Sequence, residues 1–163
     1  MIVLAIDPGL ASVGYGVVKQ ECDKEPEILA YGCIRTKVKQ TKECRLNEIF
    51  KAVSHLVVQQ KPDCLAIEKV YFAKNAKTAL TVGEGRGIIL LIAGMSGLPV
   101  AEFTPLQVKQ TMSGFGRASK SQIQEMVKRV FRLSKIPSSD DAADALAIAY
   151  TYLQHAKFFS RTS

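Results

Sequence analysis

Two acidic residues close apolar runs in this sequence, where they could take part in hydrolytic chemistry. Asp7 follows the apolar run 2–6 and precedes Pro8-Gly9, which predicts a carboxylate at the end of a strand buried on both faces. Glu68 closes a second short apolar run in the same way. Because the carboxyl ends of parallel neighbours meet at one edge of a sheet, the two acids are expected to lie side by side. The alternative for Asp7 is a turn residue that only accepts backbone hydrogen bonds.

Two further acids begin the last predicted helix. Asp141 and Asp144 are three residues apart and share a helix face, and the apolar stripe that starts at Leu146 would hold this face against the sheet. On the helical wheel Asp141 lies between the stripe and Asp144, whereas Asp140 lies nearly opposite the stripe. Asp141 is therefore predicted to be the third carboxylate. The alternative is that these acids only stabilise the positive N-terminus of the helix.

Four carboxylates form an all-oxygen ligand set, which suits Mg²⁺ or Mn²⁺ better than zinc. Such a set can hold two ions about 3.5–4 Å apart, one for an attacking water and one for a leaving oxygen, as phosphodiester hydrolysis requires. The sequence offers no Ser/His/Asp or Cys/His set for a competing chemistry. Its cysteines form no C-x-x-C pair and it has two histidines, which argues against a zinc finger.

The elements that must position these acids fit one α/β domain. The 163 residues suffice for a single core, and we assign residues 1–156 to one domain and 157–163 to a polar tail that frays. Strands are predicted at 2–7, 13–18, 28–36, 63–68 and 98–103. Helices are predicted at 46–57 and 75–96, from 104, over 121–133 and from 137. We recognise no signal peptide or membrane span, and reduced thiols are typical of the cytoplasm, where we expect the protein.

Basic residues indicate a polyanionic partner. The formal net charge is +7, and such an excess favours nucleic acid, although solvated surface lysines are the alternative. Lysines alternate with aromatic rings in the segment 69–77, an arrangement suited to phosphates and to stacked or wedged bases. A second basic loop spans 113–120, whereas the basic run 35–45 could equally protect an edge strand. The candidate DNA contacts from the two loops are Tyr71, Lys74, Lys77, Arg117 and Lys120.

Four short motifs lie along nearly the whole chain. They are Ile6-Asp7-Pro8-Gly9, Ala66-Ile67-Glu68, Val108-Lys109-Gln110-Thr111 and Asp141-Ala142-Ala143-Asp144-Ala145-Leu146-Ala147. In this order and at this spacing they resemble the bacterial RuvC family, the Holliday-junction resolvases. The resemblance implies an RNase H-like fold, a mixed five-stranded sheet flanked by helices. It also implies a homodimer that nicks a four-way DNA junction symmetrically, leaves 5′-phosphate and 3′-hydroxyl ends, and works with a branch-migration helicase.

The resemblance also implies roles for single residues. The four acids would bind the metal ions, two per site. Tyr71 falls where the family has an aromatic residue that acts on the junction strands, and Lys109 and Lys120 match basic residues that face DNA near the scissile phosphate. Paired nicks need two symmetric sites, and the glycines and uncharged run 88–93 of the helix 75–96 suit a two-fold contact. The alternative is that this run packs inside the monomer.

Two other classes of protein share parts of this pattern. A catalytically inactive nucleic-acid-binding protein of the same fold would keep the basic surface, but it would not need all four carboxylates. An actin-like phosphotransferase also follows its first strand with Asp and Gly. It would need a second acid-x-Gly hairpin and a second domain, and the sequence shows neither.

Overall fold

The computed structural model describes residues 1–22, 24–69 and 76–162, without the side chains of 76–79 and 157–162. In this part of the chain the strands are β1 (Ile2–Asp7), β2 (Ser12–Lys19), β3 (Glu27–Arg35), β4 (Cys64–Glu68) and β5 (Val100–Phe103). The helices are α1 (Lys42–Gln60), α2 (Ala76–Met95), α3 (Pro105–Ser113), α4 (Lys120–Val130) and α5 (Asp140–Thr162).

The strands form one mixed sheet in the order β3-β2-β1-β4-β5. The pairs β1–β2 and β2–β3 are antiparallel, whereas β1, β4 and β5 run parallel. Ile6 pairs with Ile67, so the residues that follow them, Asp7 and Glu68, end neighbouring strands at the same edge. This arrangement confirms the mixed five-stranded sheet that the sequence predicts.

Helices cover both faces of the sheet. Val3 and Ala5 of β1 face a core shared with α3, α4 and α5, whereas Leu4 and Ile6 face a core shared with α1 and α2. Successive strand residues point to opposite faces, which is why the two cores take alternate side chains. All four residues are fully buried. A strand covered on both sides must be apolar throughout, and its burial fixes the position of Asp7 at its end.

Several helix ends are set by capping. The hydroxyl of Thr104 accepts a hydrogen bond from the Gln107 N–H in a capping box, so Thr104 is the N-cap that the sequence predicts for α3. α4 ends at Val130, earlier than predicted, and Arg132 then turns the chain with a φ of 52°. α5 begins at Asp140 and not at 137.

The backbone of α5 continues to Thr162. The segment that the sequence assigns to a polar tail is therefore helical through that residue, while fraying at its end stays a prediction. No helix within the described ranges is long and apolar enough to cross a membrane.

Candidate active site

The edge where β1 and β4 end carries the first two acids. Asp7 and Glu68 are both half-buried, and they lie beside each other because Ile6 and Ile67 are paired. Fully buried core residues precede both acids along their strands and hold the two strands in place. A carboxylate at the end of such a strand has little freedom to move, which is what a ligand in a metal site needs.

A glycine of β2 brings the start of α5 to the same edge. Gly14 pairs with Asp7 in the ladder, and a Cβ built on Gly14 would stand 1.9 Å from the backbone oxygen of Asp141. No larger residue fits beneath α5 without moving the helix. The first turn of α5 therefore lies directly on the strand that pairs with β1. Asp141 and Asp144 are in consequence close enough to Asp7 to act on its ionisation.

The acids at this edge repel one another. Burial raises the pKa of Asp7 to about 8, and the negative charges of Glu68, Asp144 and Asp141 add to the rise. Burial and the charge of Asp144 raise the pKa of Glu68 to about 7. Burial also raises the pKa of Asp144. Carboxyl groups shifted this far are typical of functional sites, here one that attracts a cation.

Two lysines flank the acids. Lys120 Nζ lies 3.4 Å from Asp144 Oδ2, and its charge opposes the rise in the pKa of that carboxyl. The charge of Lys109 opposes the rise in the pKa of Glu68. The two lysines, Glu68 and Asp144 together line a cleft of about 220 Å³ whose remaining wall is apolar. Positive charge is thus placed at the mouth of a negative site.

The acids lie near one another, but their carboxylates do not converge on a common point. Among the residues that the structure describes, no three His, Cys, Asp or Glu side chains form a group that could hold a metal ion as it stands. Like-charged carboxylates repel, so an open cluster is the arrangement that electrostatics favours for the acids by themselves. The donor chemistry, carboxylate oxygen from all four residues, fits a hard divalent cation.

The structure places most of the predicted site residues. Arg117 is exposed in the loop between α3 and α4. Lys77 belongs to α2, but its side chain is not described, and Tyr71 and Lys74 lie outside the described residues. The residues brought to the edge or its cleft are Asp7, Glu68, Asp141, Asp144, Lys109 and Lys120.

Sequence reasoning does not single out two residues that contact Asp141. The Ser12 hydroxyl donates a hydrogen bond to Asp141 Oδ2, and Cys33 Sγ lies 2.8 Å from Ser12 Oγ. Alternation along β2 puts Ser12 and Gly14 on the same face, which is a usable signal for Ser12. Cys33 reaches the site because it pairs with Gly14 in the β2–β3 ladder, a register that the sequence alone does not provide.

We expect the metal-free protein to lose stability as the pH rises. Asp7 has a pKa of about 8 in the folded protein against 3.8 for an ordinary Asp, and Glu68 has about 7 against 4.5. Between these values the folded state binds more protons than the unfolded state, so the free energy of unfolding falls with rising pH. In EDTA the contribution of these two groups to the Tm should fall from about pH 4 to about pH 8, and above this range the Tm should no longer depend on them.

Scanning fluorimetry across this pH range checks the expectation. The matched variant is Asp7→Asn, which cannot ionise at this position and should flatten the fall in Tm. If the Tm of the unsubstituted protein rose with pH over the same interval, the raised pKa values of the acids would be wrong.

Comparison with known proteins identifies the family. The protein-family model described as "Crossover junction endodeoxyribonuclease RuvC" matches residues 3–152 of this chain. A protein of that name from Brevibacillus brevis is 47% identical over 160 residues, which cover 98% of this chain and 96% of the relative. One from Ruminiclostridium cellulolyticum is 48% identical over 149 residues, covering 91% of this chain and 89% of the relative.

Solved structures give the same answer for the fold. The Thermus thermophilus RuvC in complex with Holliday junction substrate superposes with a TM-score of 0.91 at 32% identity, covering 97% of this chain and 96% of that chain. A second Thermus thermophilus RuvC structure gives 0.88 at 31% identity, with the same coverage. These matches confirm the RNase H-like fold. With a family model that spans all four acids and both lysines of the site, the chain belongs to the RuvC family of crossover junction endodeoxyribonucleases.

Proposed function

We propose that this chain is a structure-specific endonuclease that resolves four-way DNA junctions by paired, symmetric nicks in homologous recombination and DNA repair. The observation that carries the proposal is the convergence of four carboxylates from β1, β4 and α5 on one sheet edge. Family membership supports the reaction, and the likeness to a RuvC solved with Holliday junction substrate supports the four-way junction as the DNA that is cut.

Mg²⁺, with Mn²⁺ as a substitute, is the proposed cofactor, at two ions per site. Asp7, Glu68, Asp141 and Asp144 would hold the ions, because carboxylate oxygens are the ligands that these hard cations prefer. Burial is the main cause of the raised pKa values of Asp7 and Glu68, and positive charge among the acids relieves the repulsion that adds to the rise. When bound, such ions activate a water and neutralise charge on the leaving oxygen.

The chain itself supplies position and charge. β1 and β4 hold Asp7 and Glu68 on a rigid sheet, and the contact of α5 with β2 holds Asp141 over the same edge. Lys109 and Lys120 line the adjoining cleft. Their charges let a DNA phosphate approach acids that would otherwise repel it.

Incubation with labelled DNA tests the proposal. A four-way junction and a duplex of matched sequence are each treated with the protein in Mg²⁺ or in EDTA. We expect symmetric nicks in the junction in Mg²⁺ only, with 5′-phosphate and 3′-hydroxyl ends that DNA ligase can reseal. Junction binding without cutting would instead favour the inactive nucleic-acid-binding protein. The described part of the chain forms one sheet and offers no support for the two-domain phosphotransferase.

Two lysines are expected to contribute to junction binding through phosphate contacts. Each phosphate contact adds about 0.9 to the slope of log K against log salt on duplex DNA. Lys109→Ala and Lys120→Ala should each weaken binding and lower this slope by about one, measured by fluorescence anisotropy in EDTA. Lys51→Ala is the matched control, because Lys51 is exposed on α1, which packs on the opposite face of the sheet from α3 and α4. Slopes unchanged by either substitution at the cleft would place these lysines away from the DNA backbone.

A homodimer is the proposed assembly, because paired nicks need two sites. One face of α2 is buried in the monomer and carries Ile89, Ile92 and Ala93. For this part of the run 88–93 the alternative, packing inside the monomer, is therefore correct. The opposite face of α2 is exposed. It carries Leu80, Gly83, Gly87, Leu91 and Met95, which recur at helical spacing. Apolar side chains separated by glycines suit the close approach of a second copy of this helix.

Substituting Leu91 by Glu tests the dimer. Leu91 is 52% exposed, so the fold should tolerate the change, whereas a buried charge at a two-fold contact should dissociate the dimer. Light scattering at the working concentration should give a dimer mass for the unsubstituted chain and a monomer mass for Leu91→Glu. Leu29→Glu on the edge strand β3 is the control for an added charge. A monomeric unsubstituted chain with full junction cutting would contradict the dimer.

Further partners are proposed from the sequence and the family. Tyr71, Lys74, Lys77 and Arg117 would extend the DNA surface beyond the cleft, with Tyr71 acting on the junction strands. A branch-migration helicase would deliver the junction. The cytoplasm, where a bacterium keeps its DNA, is the proposed place of action.

A further inference from the structure

A chain of hydrogen bonds connects β3 and β2 to the third carboxylate. The Ser12 hydroxyl of β2 donates to Asp141 Oδ2. Cys33 Sγ of β3 lies 2.8 Å from Ser12 Oγ and 3.7 Å from the same carboxylate oxygen. We propose that Ser12 is a positioning residue, supported by Cys33, that fixes the carboxylate of Asp141 for cation binding. This inference rests on the metal site of the proposed function.

The direction of each bond follows from the donors available. An ionised carboxylate only accepts hydrogen bonds, so the Ser12 hydroxyl hydrogen must point to Asp141. The Ser12 oxygen keeps its lone pairs, and the Cys33 thiol is the donor that can reach it. The Ser12 O–H therefore donates to Asp141 Oδ2. The Cys33 S–H has three acceptors in reach, and Ser12 Oγ at 2.8 Å is nearer than Asp141 Oδ2 at 3.7 Å or the Ile34 carbonyl oxygen at 3.9 Å. Hydrogen bonds to a charged acceptor are about twice as strong as neutral ones.

The sheet holds both donors more firmly than α5 holds its acid. Gly14 pairs with Cys33 in the β2–β3 ladder, and Ser12 lies two residues before Gly14, so all three share the face that α5 covers. Asp141 lies in the first turn of a helix, where backbone N–H groups lack partners within the helix and the ends tend to fray. The bond from Ser12 ties this turn to an antiparallel strand pair.

The bond also opposes a repulsive force. Asp141 lies close enough to Asp7 for its charge to raise the pKa of that group, and it also acts on Asp144. Left to repulsion alone, the Asp141 carboxylate would rotate away from the edge. A bond at Oδ2 restrains this rotation and leaves Oδ1 with its lone pairs for a cation. Groups that hold a ligand in this way commonly change metal affinity by about 10- to 100-fold when they are removed.

Direct metal binding is the decisive measurement. Mn²⁺ binding to the DNA-free dimer is followed by electron paramagnetic resonance, and the Mg²⁺ concentration for half-maximal junction nicking is measured in parallel. Ser12→Ala should raise both the Kd for Mn²⁺ and the Mg²⁺ midpoint about 10-fold. Ser12→Thr keeps the hydroxyl on a residue that strands favour, so it should restore both values. Cys33→Val should give a smaller rise of about 3-fold, since a thiol is a weak donor, and Cys33→Ser should give none.

Two controls separate this inference from the proposed function. Ser54→Ala removes a hydroxyl from α1, on the other face of the sheet, and should leave both values unchanged. Asp141→Asn should abolish the high-affinity Mn²⁺ site. If Asp141→Asn does so while Ser12→Ala binds Mn²⁺ as the unsubstituted protein does, the positioning role is wrong and the metal site stands. If Asp141→Asn leaves Mn²⁺ binding intact, Asp141 is not a ligand. The positioning role of Ser12 and the proposed place of Asp141 in the metal site are then both wrong.

Discussion

Substituting Glu68 by Gln is expected to remove nearly all cleavage of a four-way junction, with a loss of about 1,000-fold or more, while binding in EDTA is retained. Glu68 ends β4 beside Asp7, and its carboxylate is one of the proposed cation ligands. A ligated cation stabilises the transition state by several kcal/mol, and each 1.36 kcal/mol is a factor of ten in rate. Gln keeps the volume of the side chain but loses the charge. Junction affinity comes mostly from contacts of basic residues with phosphates, which this change does not touch.

A stability measurement separates a catalytic loss from a folding defect. Burial and the charge of Asp144 raise the pKa of Glu68 to about 7, so at pH 8 an ionised Glu68 destabilises the metal-free fold. Glu68→Gln should therefore raise the Tm in EDTA at this pH, whereas loss of a structural residue would lower it. Glu25→Gln is the control, because Glu25 lies in the β2–β3 turn at the opposite end of the sheet. Near wild-type nicking by Glu68→Gln would remove this residue from the site.

The fold could be predicted because a local sequence pattern identifies its two central parallel strands. β1 and β4 are short runs of apolar residues that, apart from Ile2, are fully or almost fully buried, and each run ends in an acid. That pattern needs only the rule that parallel strands are covered on both faces. It suffices to predict that Asp7 and Glu68 lie at one edge of the sheet.

What the sequence leaves open depends on packing between distant segments. Gly14 could be noticed as a small residue after a turn, but only the approach of α5 shows that a Cβ there would collide with Asp141. Ser12 and Cys33 contact Asp141 across more than 100 residues of sequence. Such contacts follow from strand register and from how a helix lies on the sheet, and neither is encoded in a local pattern.

Asp141→Asn is expected to lose junction cleavage by about 1,000-fold or more, whereas Asp140→Asn should cleave at close to the wild-type rate. The two residues are adjacent at the start of α5. Each variant therefore serves as the control for the other, because both remove one negative charge from the N-terminus of the helix. Asp141 lies over Gly14, accepts a hydrogen bond from Ser12, and contributes to the raised pKa of Asp7. The position over Gly14 and the bond from Ser12 hold its carboxylate near the edge where β1 ends, close enough to act on Asp7.

Asp140 has different surroundings. Its side chain is 62% exposed, accepts a hydrogen bond from Gln124 Nε2 at 2.7 Å, and lies 3.2 Å from Lys120 Nζ. An exposed ion pair of this kind contributes about 0–1 kcal/mol, so Asp140→Asn should lower the Tm only slightly. It also releases Lys120 from one of two acidic partners, and junction binding should hold or tighten as that charge becomes free for DNA. Nicking assays on both variants decide the matter. If Asp140→Asn abolished cleavage and Asp141→Asn did not, Asp140 and not Asp141 would be the third carboxylate of the site, and the facing assigned to the first turn of α5 would be wrong.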